Sequence, residues 1–106
     1  MKKLSIAVAM VFSLTATFAH ASDVSDVWKA KCKSCHGEAG AAETPNGKKY
    51  KVDDITDAGW QSRHSDEKIK TVILEGKADT KMKPYKDKLS EAEIDGLVKL
   101  IRTFKK

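Results

Sequence analysis

The sequence predicts an all-α fold of three to four helices joined by long loops. Three observations predict it. Apolar residues recur at steps of three and four in several segments. Those segments open on Ser or Asp residues suited to helix caps. No stretch shows the strict alternation of a half-buried strand. At 106 residues the chain is too short for more than one ordinary domain.

Taken in order, residues 1–21 stand apart. Lys2 and Lys3 precede the apolar run "LSIAVAMVFSLTATFAHA", which ends on Ala19-His20-Ala21, a small-x-small cleavage pattern. This predicts a secretory signal cut before Ser22, leaving residues 22–106 as the domain. The alternative is an uncleaved anchor. The run falls short of the roughly 20 residues a spanning helix needs, so no membrane span is expected after cleavage. With export, the expected location is the periplasm.

A first helix is expected from Ser22 to Cys32, capped by Ser22 or Asp23, with Val24, Val27, Trp28 and Lys31 on one face. The next segment, "GEAGAAETPNGKKYKVDD", reads as loop because Gly37, Gly40, Pro45 and Asn46-Gly47 interrupt regular structure. "TDAGWQSRH" suits a short helix or turn capped by Thr56 or Asp57 and carrying Trp60. A clear helix follows, with Ser65 as cap, Asp66 and Glu67 in its first turn, Ile69, Val72 and Ile73 inside, and Gly76 at its end. "KADTKMKPYKDKL" is a second irregular stretch. The last helix opens on a capping box of Ser90 and Glu93. Ile94, Leu97, Val98, Ile101 and Phe104 recur along it at helical spacing. Two loops of this length are unusual in a small domain unless they wrap or bind something.

Residues 1–21 hold two of the 20 basic residues and none of the 15 acids. The remaining domain is mildly basic. Its lysines are dispersed among acids and carry no nucleic-acid motif, so nucleic-acid binding is not expected. They form either a plain solvated surface or a docking face for acidic partners. A domain this small usually needs disulfides, a metal or a cofactor to hold together. Cys32 and Cys35 are the only cysteines, and a disulfide between them would close too short a loop to constrain the unfolded chain much.

The segment "KCKSCHGEAG" therefore matters most. Cys32, Cys35 and His36 admit three readings. A redox dithiol of the thioredoxin kind sits after a strand at the start of a helix, whereas this pair follows a helix. A zinc site would have to use Cys32, Cys35, His36 and His64 together. Covalent haem attachment uses each cysteine for one vinyl group and the adjacent histidine as an iron ligand. The Cys-x-x-Cys-His spacing and the export signal favour the third: one haem c, held through Cys32 and Cys35.

With these motifs in hand, the mature chain resembles a small bacterial class I cytochrome c. The resemblance rests on "VWKAKCKSCHG", "TPNGKKYKVDDITDAGW", "KMKPYKDKLSEAEI" and the final "GLVKLIR". It implies the class I cytochrome c fold wrapped around one covalent haem, with His36 as proximal ligand. It also places a methionine ligand in the loop before the last helix. Met82 is there, and is the only methionine left once the signal is cut; its thioether raises the potential relative to bis-His ligation. The competing role for Met82 is core filler, which its flanks Lys81 and Lys83 disfavour. His64 starts a polar helix and reads as exposed. The family commonly has proline directly after the ligand methionine; here the order is Met82-Lys83-Pro84-Tyr85. The resemblance further implies that the Pro45 carbonyl accepts a hydrogen bond from His36, and that the Trp60 indole reaches a haem propionate. A turn proline and a core aromatic are the alternatives for these two. The family's first helix usually brings a glycine to cross an aromatic on the last. Here Gly96 and Trp28 supply the small and large partners in exchange.

The function so implied is one-electron transfer without an enzymatic reaction. Ile55, Ile69, Val72, Ile73, Leu89, Leu97, Val98 and Ile101 would keep water off the ring. Lys33, Lys48, Lys81 and Lys83 would ring an exposed haem edge and steer transient docking of redox partner proteins, with the carrier a monomer. The rival readings are a five-coordinate or bis-His haem protein acting as peroxidase or gas sensor, and a haem-free thiol oxidoreductase.

Overall fold

The computed structural model describes residues 23–106, so the expected signal segment lies outside the described residues. Asp23 caps the first helix, its side chain accepting the Ser25 amide proton at 3.1 Å. The helix starts as α1 (Val24–Val27), widens into a π-helical stretch (Trp28–Cys32), and continues as α2 (Lys33–His36). It thus runs one turn beyond the expected end at Cys32 and carries the whole Cys-x-x-Cys-His motif. Gly37, at φ 82°, then turns the chain out.

The following loop contains a helix the sequence reading left out: α3 (Pro45–Lys49). Thr44 caps it by accepting from the Gly47 amide, and Pro45 sits at its first position, where its missing N–H costs nothing. Pro and Asn-Gly break helices in general, but a capped start is where Pro fits. The bounds and caps of the remaining helices follow expectation: α4 (Ala58–Arg63) capped by Asp57, α5 (Asp66–Glu75) capped by Ser65 and ended by Gly76, and α6 (Glu91–Thr103). On α5 Ile69 and Ile73 are buried as expected, whereas Val72 is only half-buried. The Ser90–Glu93 capping box forms in both directions, at 3.1 and 3.0 Å. Among the described residues there is no strand, and no helix is long and apolar enough to cross a membrane.

α1 packs on α6, α5 on α6, and α2 on α3. At the first crossing Gly96 faces Val24, and a Cβ on Gly96 would fall 2.6 Å from Val24 Cγ2. Trp28 meets Phe104 edge to face at 5.0 Å. The small and large partners have therefore changed helices, as the sequence suggests. The core gathers Val27, Trp28, Ile55, Ile69, Ile73 and Leu89 with the α6 stripe Ile94, Leu97, Val98 and Ile101.

A polar lock invisible to hydrophobic patterning ties α4, α5 and α6 together. Buried Gln61 donates to the carbonyls of Ile55 (2.7 Å) and Ile101 (3.0 Å). Arg102 donates to the Gln61 carbonyl (2.8 Å) and side-chain oxygen (2.9 Å), to the His64 carbonyl, and to Asp66 at 2.7 Å. Such a network satisfies interior polar groups that would otherwise cost stability.

Candidate haem site

The end of the first helix presents the motif. Cys32 and Cys35 are free thiols, both half-buried, and Cys32 packs against the core. Burial pushes the Cys32 thiol up to about 11. A redox dithiol needs the opposite, a thiolate favoured near neutral pH. His36 lies one residue on, its ring 5.8 Å from Trp28. Its Nδ1 is buried and has no hydrogen-bond partner. Burial holds its pKa below the ordinary value, against the pull of Asp53, which favours the neutral, metal-ligating form of the imidazole.

The first long loop wraps this end. The Trp28 indole donates to the Gly37 carbonyl at 2.9 Å, and the Ala42 amide donates to the His36 carbonyl at 2.8 Å. Thr44 Oγ1 donates to the carbonyls of Ser34 (2.7 Å) and Cys35 (3.2 Å). Gly47 is buried where a Cβ would strike the Ala42 carbonyl and come within 2.6 Å of the Cys35 carbonyl. Thr44 and Gly47 thus support the motif directly, and sequence reading passed over both. The signal for Thr44 was its place just before Pro45. Pro45 itself is exposed at the start of α3, and the expected bond from His36 Nδ1 to its carbonyl is not made.

Met82 lies in the second loop, half-buried against the same core as Cys32, despite its lysine neighbours. Its carbonyl accepts from the Lys77 amide at 3.2 Å and its amide donates to Thr80 Oγ1 at 3.1 Å. Three residues on, the Tyr85 hydroxyl donates to the Lys31 carbonyl at 3.2 Å, next to Cys32. Burial, with smaller contributions from Cys32 and Cys35, raises the Tyr85 pKa.

Trp60 is half-buried against the core. Its amide donates to Asp57, and its carbonyl accepts from the His64 amide at 3.2 Å. His64 is not exposed as expected. It is half-buried, stacked on Trp60 at 4.3 Å, with Nδ1 donating to the Trp60 carbonyl at 2.8 Å. The aromatic face of Trp60 is what covers it, and it already has a structural role. Lys33, Lys48, Lys81 and Lys83 are exposed as expected.

Two free thiols three residues apart, a neutral imidazole with a buried, unpartnered nitrogen, and a thioether on the same core fit a covalent haem. Residues 19–101 match the family model "Cytochrome C oxidase, cbb3-type, subunit III". The chain belongs to this family of c-type cytochromes. It is a small class I c-type cytochrome, a haem protein of an electron-transfer family. The cytochrome is similar to the solved "KustC0563 c-type cytochrome", with 38% identity and a TM-score of 0.73 over 79% of this chain and 99% of that one. It is also similar to a single-substitution variant of that protein, at 36% identity and TM-score 0.69, covering 78% of this chain and 99% of the variant. A "Kuenenia stuttgartiensis reducing HAO-like protein complex", 21% identical with a TM-score of 0.64 over 79% of this chain and 42% of that one, shares the fold of the cytochrome. Among curated proteins none matches.

Proposed function

We propose that the protein is a periplasmic one-electron carrier. Its single haem c is held by thioethers to Cys32 and Cys35 and ligated by His36 and Met82. The observation that carries this reading is the placement of the motif. The helix end delivers two free thiols and an imidazole whose Nδ1 is sealed from water, and the Met82 loop closes on the same core. When bound, the haem supplies an iron that gains and loses one electron. The chain does the rest. Its cysteines keep the cofactor from dissociating, and its neutral imidazole needs no proton loss to bind. The apolar core excludes water and stiffens the surroundings. Met82, a soft neutral donor, favours the ferrous form and raises the potential.

With His36 and Met82 both holding the iron, no coordination site would be left open for a substrate, and the carrier would have no enzymatic reaction. The thiol-oxidoreductase reading conflicts with the raised Cys32 pKa, and bis-His ligation would require His64 to leave Trp60. Residues 1–21 serve as the export signal, since haem attachment outside the cytoplasm needs translocation first. The exposed lysines, Lys33, Lys48, Lys81 and Lys83, favour transient, salt-sensitive docking of acidic redox partners. Trp60 serves as a propionate donor, and Pro45 sets the direction of α3 beside the proximal side.

The test is an absorption spectrum of the exported protein, made in cells with a haem-attachment system, oxidised and then reduced with dithionite. Sharp reduced bands that survive denaturation, with the weak far-red methionine–ferric band when oxidised, are expected. Haem without that band would remove Met82 from the iron. Absence of haem would overturn the whole reading.

A further inference from the structure

The loop that carries Met82 is secured on one side and strapped on the other. On the α5 side the bonds are to backbone: the Tyr85 amide donates to the Ile73 carbonyl at 2.9 Å and the Lys86 amide to the Leu74 carbonyl at 3.1 Å. Gly76, at φ 71°, lies so close to Met82 that a Cβ there would come within 2.7 Å of its carbonyl oxygen. Residues 77–82 close on themselves through Thr80, which bonds both the Met82 amide (3.1 Å) and the Lys77 carbonyl (2.8 Å). These bonds fix where the loop leaves α5. They do not reach across to the helix that carries the cysteines.

One hydrogen bond does. The Tyr85 hydroxyl donates to the Lys31 carbonyl, joining residues 54 apart in sequence. Its acceptor sits in the π-helical stretch immediately before Cys32. A helical carbonyl has a second lone pair for such a donor. The ring is half-buried and packed against the core, so it is held in place to make the bond. We propose that Tyr85 is the positioning residue for Met82, strapping the methionine loop to the cysteine-bearing helix. The inference rests on Met82 being the sixth ligand. Tyr85 does not touch the iron; it limits how far the loop can swing away and so how often the iron loses its methionine.

The test uses the holoprotein and its Tyr85→Phe variant, which keeps the ring and its packing and deletes the hydroxyl. Cyanide is the probe, because it can bind the ferric iron only after methionine leaves. Loss of one hydrogen bond predicts a rate of cyanide binding raised by roughly fivefold at saturating cyanide, with the far-red band still present before cyanide is added. An unchanged cyanide rate in a variant that retains the band would overturn the inference and leave Met82 as ligand. A lower melting temperature with that unchanged rate would do the same, because it would make Tyr85 merely structural. A wild-type protein without the far-red band would overturn the ligation reading and, with it, this inference.

Discussion

The two long loops solve opposite problems. Residues 37–57 fold inward. Gly37, Gly40, Ala42, Gly47 and Ile55 are buried, a short helix forms within the loop, and Thr44 clasps the carbonyls of the cysteine-bearing turn. Residues 76–90 stay mostly exposed, with only Leu89 buried and Gly76, Met82 and Tyr85 half-buried. The first loop is part of the frame around His36. The second is a strap, fastened to α5 by backbone bonds and to the first helix by a phenol. The two loops differ in how much of their chain they bury: the first is packed around the motif, the second lies mostly at the surface.

The sharpest break removes what both loops wrap. A Cys32→Ser, Cys35→Ser double variant is expected to lose all denaturation-resistant haem absorbance, read by the reduced spectrum in denaturant. Next comes the frame. Gly47→Ala forces a Cβ into the Ala42 and Cys35 carbonyls, which are backbone and cannot yield cheaply. It should cost about 3 kcal/mol, seen as a large drop in melting temperature of the holoprotein, with little matured protein recovered.

The strap should respond differently. Met82→Ala is expected to keep covalent haem and most of the fold while losing the far-red band. The potential should fall, and carbon monoxide should bind the ferrous form readily; redox titration and gas binding check this. A fold lost along with the band would erase the distinction between frame and strap. The smallest effect belongs to the strap's outer contact. The Lys81 ammonium lies 5.8 Å from the centre of the exposed Tyr50 ring. Tyr50→Leu should cost under about 1 kcal/mol, as exposed cation–π contacts do. Denaturant unfolding would measure it, and a larger loss would mean that the second loop is also frame.

Much of this was legible in sequence, for identifiable reasons. Ser65 and the Ser90–Glu93 box marked two helix starts because capping is local hydrogen bonding. The α6 stripe marked the core because its period is helical. α3 was not legible, since Pro45 and Asn46-Gly47 break helices on average and only the Thr44 cap reverses that. His64 was misread as exposed because it was read with the start of α5, whereas it caps the end of α4, one turn after the Trp60 ring that covers it. Gln61 and Arg102 carry no periodic signal; their importance comes from carbonyls up to 41 residues away.

By itself the sequence determined the class of the molecule and its chemistry. Cys32, Cys35 and His36 are neighbours on the chain, so covalent connectivity alone keeps them together. Tertiary structure decided what depends on distant segments meeting: Gly96 against Val24, Trp28 against Phe104, and the Tyr85 hydroxyl on the Lys31 carbonyl. Local propensity is set by adjacent residues, whereas a long-range contact exists only once the whole chain has packed. That is why the motif could be read from the sequence and the strap that closes over it could not.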